Sequence, residues 1–418
     1  MRGHALTTHL TTDIDEIVTD VFQSTEGKRN PYPLYRRLQE LGQVHRSEQL
    51  GWVATGYEVC SAALRDPRVI KGPEQIQPGR PDPAEHSAEA LLRGTMHRLD
   101  PPDHTRLRRL VNGAFTPRSV AALEPDIQEL IDDLITPAVK KAEAGEPVDM
   151  MSGFAFPLSV AVIGRMLGVP ASDWHRFHDV VLDLSSMVEL GFTGDELPKA
   201  DAAADELIAY FRKLGAERMR HPADDLTSTL ANATEAGDRL TEQELVTMLI
   251  LLFMAGFETT THSMGNGMFA LLENPEQTQW LRRNMDAMPA AVEELIRYDS
   301  PVQFIAGYTK EPVELADGTA VPADEYLFLM IGAANRDPRV FSDPELLRLD
   351  RGEAAPMSFG GGIHYCLGAG LARLEIRKIF TSLLTRFSAI ELAEPEPERR
   401  SGLALRGYAR IPMWLTPA

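Results

Sequence analysis

From Thr241 to Asn274 the chain runs without a proline, and between Glu244 and Glu273 its one formally charged residue is Glu258. Such length and composition predict a single long helix. Thr241 stands where an N-cap belongs, and Glu244, three residues on, completes a capping box. A helix this apolar has to lie inside a fold, so it becomes the central element around which others pack. Further helix-like segments run over Ser119–Ala144 and Asp201–Arg220. Strand patterns are few: Gln43–Ala54 and Val313–Pro322 are the clearest, the latter turning at Asp317-Gly318. The expected fold class is mainly α with small β-sheets (α+β).

No Pro/Gly/Ser-rich linker, internal repeat or shift in composition divides the 418 residues, so one domain over 1–418 is expected; a short acidic run at Glu391–Glu398 is the lone biased stretch. A formal charge of −19 argues against nucleic acid and anionic membrane as partners. Two cysteines cannot build a disulfide framework and suit a reducing cytoplasm. Cys60, in a helix-like stretch, reads as a small core residue. Met1–Thr8 has no apolar core, and the longest apolar run, Leu245–Phe257, is short of the roughly 20 residues that cross a bilayer. A soluble, cytoplasmic protein with no membrane segment is expected.

Inside the long helix sits Ala255-Gly256-Phe257-Glu258-Thr259-Thr260. An acid beside a hydroxyl in so apolar a segment is costly unless something satisfies it. Gly256 lowers helix stability and should open room beside it, while Thr259 can bond back to the carbonyl of Ala255 and loosen the ladder. A polar patch on a buried helix explains either residue alone; together they are a candidate functional pair.

A second constellation is Phe359-Gly360-Gly361-Gly362-Ile363-His364-Tyr365-Cys366-Leu367-Gly368, a glycine-rich loop that delivers one cysteine to the mouth of a helix running from Leu367 to about Phe387. Glycines remove β-carbons where backbone lies close to a flat macrocycle and permit left-handed φ. Phe359 would cover the loop. Backbone N–H groups after Cys366 would keep the sulfur ionised. A thiolate in such a loop suits a haem iron and oxygen activation, against the plainer reading of an inert buried thiol.

The loop resembles the haem-binding signature F-G-x-G-x-H-x-C-x-G of the bacterial cytochrome P450 superfamily, with every fixed position satisfied, and other motifs in the right order extend the likeness over the whole chain. The resemblance implies a cytochrome P450 fold, a triangular helical prism with haem b (iron protoporphyrin IX) between the long central helix and the Cys-loop helix. It implies Cys366 as the metal ligand, with Phe359, Gly360, Ala255 and Gly368 around the cofactor. His364, with His104 and Arg108 in Asp100-Pro101-Pro102-Asp103-His104-Thr105-Arg106-Leu107-Arg108-Arg109, would reach its propionates; Arg106 and Arg109 read as surface residues. Glu258 and Thr259 match the acid–alcohol pair that relays protons. Glu294 and Arg297 match a structural E-x-x-R, and breaking that pair if buried should cost roughly 3–5 kcal/mol.

Two positions depart from the family pattern. Where a propionate-binding arginine usually stands, this chain has Gly307, leaving Lys310 and Arg98 as candidate substitutes or a more loosely held haem. Where an arginine–phenylalanine pair is usual, it has Leu346-Leu347, so Arg348 or Arg351 would become the third partner of Glu294 and Arg297.

The resemblance also implies a ferredoxin and an NAD(P)H-dependent ferredoxin reductase as electron donors, docking near Arg106, Arg109, Arg373 and Arg377, and a monomer. Substrate-facing segments would be Lys71–Arg98, Leu182–Pro198, Leu251–Ala255, Val302–Ala306 and the turn before Arg406. Met96, Met187, Leu251, Met254, Val302, Phe304, Ile305, Leu403 and Leu405 make these apolar. The likeness is to actinobacterial enzymes that tailor natural products, which implies hydroxylation or epoxidation of a polyketide, macrolide or similar small molecule. Alternatives are a specialised member acting on an aromatic or carrier-protein-tethered intermediate, a peroxide-driven relative, against which Glu258 and Thr259 speak, and a haem-bearing binding protein or sensor without turnover.

Overall fold

The computed structural model describes residues 2–72, 80–174, 176–190, 195–233 and 238–418, with side chains from Asp13 onward. The predicted substrate segments Lys71–Arg98 and Leu182–Pro198 therefore fall partly outside the described residues. The chain forms two compact units, each assembled from three stretches of sequence.

One unit comprises Met1–Lys71, His262–Cys366 and Glu394–Ile411. Its five-stranded sheet runs in the order Val44–Ser47, Gly51–Ala54, Tyr326–Leu329, Ile305–Thr309, Val69–Ile70. All neighbours are antiparallel except Gly51–Ala54 beside Tyr326–Leu329. The segment Gln43–Ala54 is thus a hairpin of two short strands, turned at Gly51, whose φ of +90° lies where glycine is favoured. The hairpin expected at Asp317-Gly318 is present: Val313–Glu314 pairs with Ala320–Val321 and Gly318 has φ +85°. Against the sheet pack Val59, Cys60, Ala63, Leu315, Ile331 and Met357. Cys60 is fully buried in the helix Tyr57–Ala63, and burial pushes its thiol far up. It is a core residue, as its context suggested.

The other unit comprises Gly72–Thr261, Leu367–Ala393 and Pro412–Ala418 and is mostly helical, with a small sheet ordered Val148–Asp149, Pro412–Pro417, Phe387–Leu392. The long helix spans Glu242–Glu273. Its capping box is formed: the Glu244 carboxylate accepts from the Thr241 N–H at 2.8 Å and Thr241 Oγ1 accepts from the Glu244 N–H at 3.2 Å. Leu245, Val246, Met248, Leu249, Ile250, Leu252, Phe253 and Phe257 are buried in this unit's core. Phe253 meets Phe177, Phe211 and Phe257 at centroid distances of 5.5, 5.6 and 5.8 Å, within the range of favourable aromatic packing. This helix is in fact long and apolar enough to cross a membrane, contrary to the estimate from its longest apolar run, but its most apolar window is 78% buried inside the protein. Its hydrophobicity serves the core.

Two helices depart from expectation. Ser119–Ala144 divides into Pro117–Ala122 and Glu124–Glu143, because Pro125 has no N–H to extend the first helix and suits the first turn of the second. The helix after the glycine loop starts at Ala369 rather than Leu367 and ends at Arg386, with Gly368 at its N-cap position. The predicted Asp201–Arg220 helix is longer, Leu197–Arg220.

Candidate active site

In the helical unit, burial on the long helix is interrupted along one stripe. Leu251, Met254 and Thr259 are half-buried and Ala255 is exposed. Their spacing of three and four residues puts them on one face. On that stripe Thr259 Oγ1 donates to the Ala255 carbonyl at 2.8 Å, the back-bond expected from sequence. Glu258, 4% accessible, accepts a hydrogen bond from the hydroxyl of Ser185, the last residue of the helix Phe177–Ser185. Sequence reasoning missed Ser185, which carries no local motif. The room expected beside Gly256 is not there: a β-carbon at that position would stand 3.0 Å from Ile163 Cγ1. The helix Phe156–Leu167 packs closely on the long helix at this point.

The helix Asp103–Asn112 carries His104 and Arg108 one turn apart. His104 is buried, and burial together with Arg108 pushes its imidazole below the usual range. Arg108 donates to Asn112 Oδ1 at 3.0 Å. Met96 is buried in the turn Met96–Arg98, and Met187 is fully buried in the core. Arg98 is half-buried with no carboxylate paired to its guanidinium among the described residues, and burial with nearby Arg80 pushes it down to about 10. A cation placed so asks for an anion.

In the sheet-bearing unit, the N–H of Cys366 donates to the Phe359 carbonyl at 2.9 Å, closing the loop, and the thiol-bearing residue is exposed. Gly360 and Gly362 have φ of +69° and +61°. The three glycines, however, do different work. A β-carbon at Gly362 would fall 2.2 Å from the Leu64 carbonyl oxygen, so glycine is needed there for the loop to lie on its own chain, and one at Gly361 would be crowded at 3.2 Å by Leu64 Cβ. Only Gly360 leaves space, with Ile305 Cδ1 at 3.6 Å as its nearest neighbour. Phe359 has its ring 6.5 Å from that of Tyr365, and His364 is half-buried. Gly368, beyond the cysteine, has nothing within 4 Å of a would-be β-carbon.

Val302 and Leu405 are joined by an isolated β-bridge, which brings two predicted substrate-facing residues together. Ile305 and Phe304 are half-buried, and the Phe304 ring also packs on Phe22 and Phe328 at 5.4 and 6.0 Å. Leu403 is buried.

Position 307 is closed to a side chain, because a β-carbon there would stand 2.6 Å from Val69 Cγ1. Lys310, proposed as a substitute cation, is instead exposed. The side chain that reaches this strand is Lys71, whose ammonium donates to the Ala306 carbonyl at 2.9 Å. Lys71 follows the strand Val69–Ile70 that pairs with Tyr308 and Thr309, a pairing too short to read from sequence.

Glu294 and Arg297 are both 2% accessible in their side chains and joined twice, at 2.6 and 2.9 Å. Arg351 is the third partner, its Nε 3.1 Å from Glu294 Oε1, while Arg348 contributes its backbone N–H at 2.9 Å. The Leu346-Leu347 departure is absorbed by the backbone: the Leu346 carbonyl accepts from Arg351 at 3.1 Å and from Arg297 at 3.4 Å.

Among the described residues no group of three or more His, Cys, Asp or Glu is placed to hold a metal ion. A cysteine exposed on a closed loop, with room at Gly360 beside it, fits a haem bound through its thiolate. The family description "Cytochrome P450" matches residues 69–408. The chain belongs to this family. Members bind haem b, and the protein is a cytochrome P450 monooxygenase. Its relatives include nocardicin C N-oxygenase of Nocardia uniformis subsp. tsuyamanensis, 39% identical over 87% of this chain and 89% of that protein. The cytochrome P450 monooxygenase PikC of Streptomyces venezuelae is 36% identical over 92% and 91%. Among solved structures, P450BioI in complex with a hexadec-9Z-enoic acid-ligated acyl carrier protein matches with a TM-score of 0.87 at 33% identity, covering 94% of this chain and 99% of that one.

Proposed function

We propose that this P450 hydroxylates or epoxidises an apolar natural-product intermediate such as a polyketide or macrolide, acting as a single domain and a cytoplasmic monomer. The observation that carries the reading is the stripe of Leu251, Met254 and Ala255 leading to Thr259 on an otherwise buried helix. Apolar side chains there favour an apolar substrate, and a hydroxyl at its end supplies a proton path. The other residues expected to face substrate, Met96, Val302, Phe304, Ile305 and Leu405, are apolar too. The match at 69–408 runs through both units and supports one working domain.

Haem b held by the Cys366 thiolate supplies oxygen activation. By the family resemblance His364, His104, Arg108 and Arg98 would hold its propionates, and Phe359, Gly360, Ala255 and Gly368 would be further cofactor-binding residues. The Thr259 hydroxyl receives protons from the Glu258 carboxyl, and positioned transfer of this kind is worth roughly 10²–10⁴-fold. Electrons come from a ferredoxin and its reductase. Arg106 is committed to Glu244, so the docking patch narrows to Arg109 and Arg377 with Arg373; Arg109 and Arg377 have looser ion pairs, to Asp238 at 3.5 Å and Glu124 at 3.9 Å, which an acidic partner can displace.

A carrier-tethered substrate is the second reading, favoured by the likeness to the carrier-bound P450BioI structure. Titrating the purified ferric enzyme with free macrolactones, free hexadec-9Z-enoic acid and the same acid on an acyl carrier protein, with the haem spectrum as readout, separates the two. Spectral shifts with free apolar ligands are expected; a response only to the carrier-bound acid overturns the first reading in favour of the second.

A further inference from the structure

We infer that Ser185 is a positioning residue for the acid Glu258, and that through it the end of the helix Phe177–Ser185 governs when that acid can serve Thr259. This rests on the proton-relay reading given above. Ser185 and Glu258 are 5% and 4% accessible, so bulk water does not compete for their hydrogen bond. A buried carboxylate without a donor is expensive, and the serine hydroxyl is a donor that fixes the orientation of Glu258. Thr259 meanwhile donates to the Ala255 carbonyl. Acid and alcohol thus each hold a bond outside the pair.

The serine is itself anchored. Immediately after it comes the turn Ser186–Val188, and the carbonyl of Met187 accepts from Arg80, which is ion-paired with the buried Glu89. Glu89 also holds Arg93 at 2.9 Å. The end of this helix is therefore strapped at neighbouring residues, to the long helix through Glu258 and to the segment around residues 80–93 through Arg80. Hydrogen bonds are lost with displacements well under about 1 Å beyond their normal length. A small shift of the strapped turn is enough to release the carboxyl, which links the position of this segment to proton delivery.

The test compares Ser185→Ala, Ser185→Thr, Glu258→Gln and the double variant Ser185→Ala with Glu258→Gln. Infrared difference spectra of the substrate-free protein read the carboxylate directly, and the peroxide released per NAD(P)H, with hexadec-9Z-enoic acid as probe, reads its consequence. Ser185→Ala should shift a carboxylate band that Glu258→Gln abolishes and should raise the peroxide share about tenfold. Ser185→Thr should restore both, and adding Ser185→Ala to Glu258→Gln should change the peroxide share less than about twofold. An unshifted carboxylate band in Ser185→Ala, or an equal effect of that substitution with and without Glu258, overturns the positioning role. A Glu258→Gln enzyme with the wild-type peroxide share overturns the relay reading instead, and the infrared result still judges Ser185 as the holder of the acid.

Discussion

Glu294→Gln removes the one negative charge shared by two buried guanidiniums. In the native protein its carboxylate accepts from Arg297 Nε at 2.6 Å and Nη2 at 2.9 Å, from Arg351 Nε at 3.1 Å and from the Arg348 N–H at 2.9 Å. The two arginines fare differently once the charge is gone. Arg351 keeps Glu353 at 2.7 Å and the Ser342 carbonyl at 2.6 Å. Arg297 keeps the carbonyls of Asn335 at 2.8 Å and Pro344 at 3.0 Å but has no second carboxylate among the described residues. Unit charges about 4 Å apart attract by about 4 kcal/mol at an effective dielectric near 20. Losing one such interaction at a site 2% accessible places the cost at about 3–5 kcal/mol, in line with stranded buried charges elsewhere. Arg351→Met, which leaves Glu294 with Arg297, should cost only about 1–3 kcal/mol. Urea unfolding followed by circular dichroism on wild type and both variants measures this. A Glu294→Gln penalty below about 1 kcal/mol, or one no larger than that of Arg351→Met, refutes the assignment of the cost to Arg297.

Thr259→Ala should leave substrate binding intact and divert most reducing equivalents to peroxide, measured as product formed per NAD(P)H consumed. Gly307→Arg should not tighten haem binding; with Val69 Cγ1 2.6 Å from its β-carbon it should instead destabilise by about 1–3 kcal/mol, read by thermal melting and haem titration of apoprotein. Asp299 is buried, which pushes its carboxyl up, but Arg406, Arg399 and the Tyr32 hydroxyl outweigh burial and bring it down from 3.8 to about 2. Its contribution, about 2 kcal/mol by linkage, is therefore complete above pH 4 and lost as pH falls toward 2; an Asp299→Asn variant should lack that acid loss in unfolding midpoints taken across this range. Charge reversal at Arg109 and Arg377 should lower ferredoxin-supported turnover several-fold with an unchanged carbon monoxide spectrum, and unaffected turnover would remove the docking patch.

What was legible in the sequence is what short-range chemistry dictates. The capping box at Thr241 and Glu244, the back-bond of Thr259, the left-handed glycines of the cysteine loop and the buried Glu294–Arg297 pair all involve residues within a few positions of one another. The signals failed where the partner is remote. Nothing local in Ser185 announces a carboxylate from another helix, and Lys71 gains meaning only once Val69–Ile70 pairs with the strand that holds Gly307. Glycines show the same limit: the pattern said that no side chain fits, but not what excludes it. The Leu64 backbone excludes one at Gly362 and Val69 meets one at Gly307, Leu64 and Ile163 crowd Gly361 and Gly256, and Gly360 and Gly368 keep room.

That distinction decides how the missing arginine is understood. If position 307 were an empty slot, restoring the guanidinium would be a gain that this chain had simply lost. Val69 makes it a filled slot, and Lys71, just beyond the strand Val69–Ile70, bonds the Ala306 carbonyl. A guanidinium introduced at 307 would strain the strand, so its effect on haem cannot choose between a substitute cation and a loosely held haem; Arg98, a substitute named from sequence, is where that choice is made. Haem affinity should accordingly fall on neutralising Arg98, and Arg98→Gln apoprotein that binds haem as tightly as wild type would return the question to the strand.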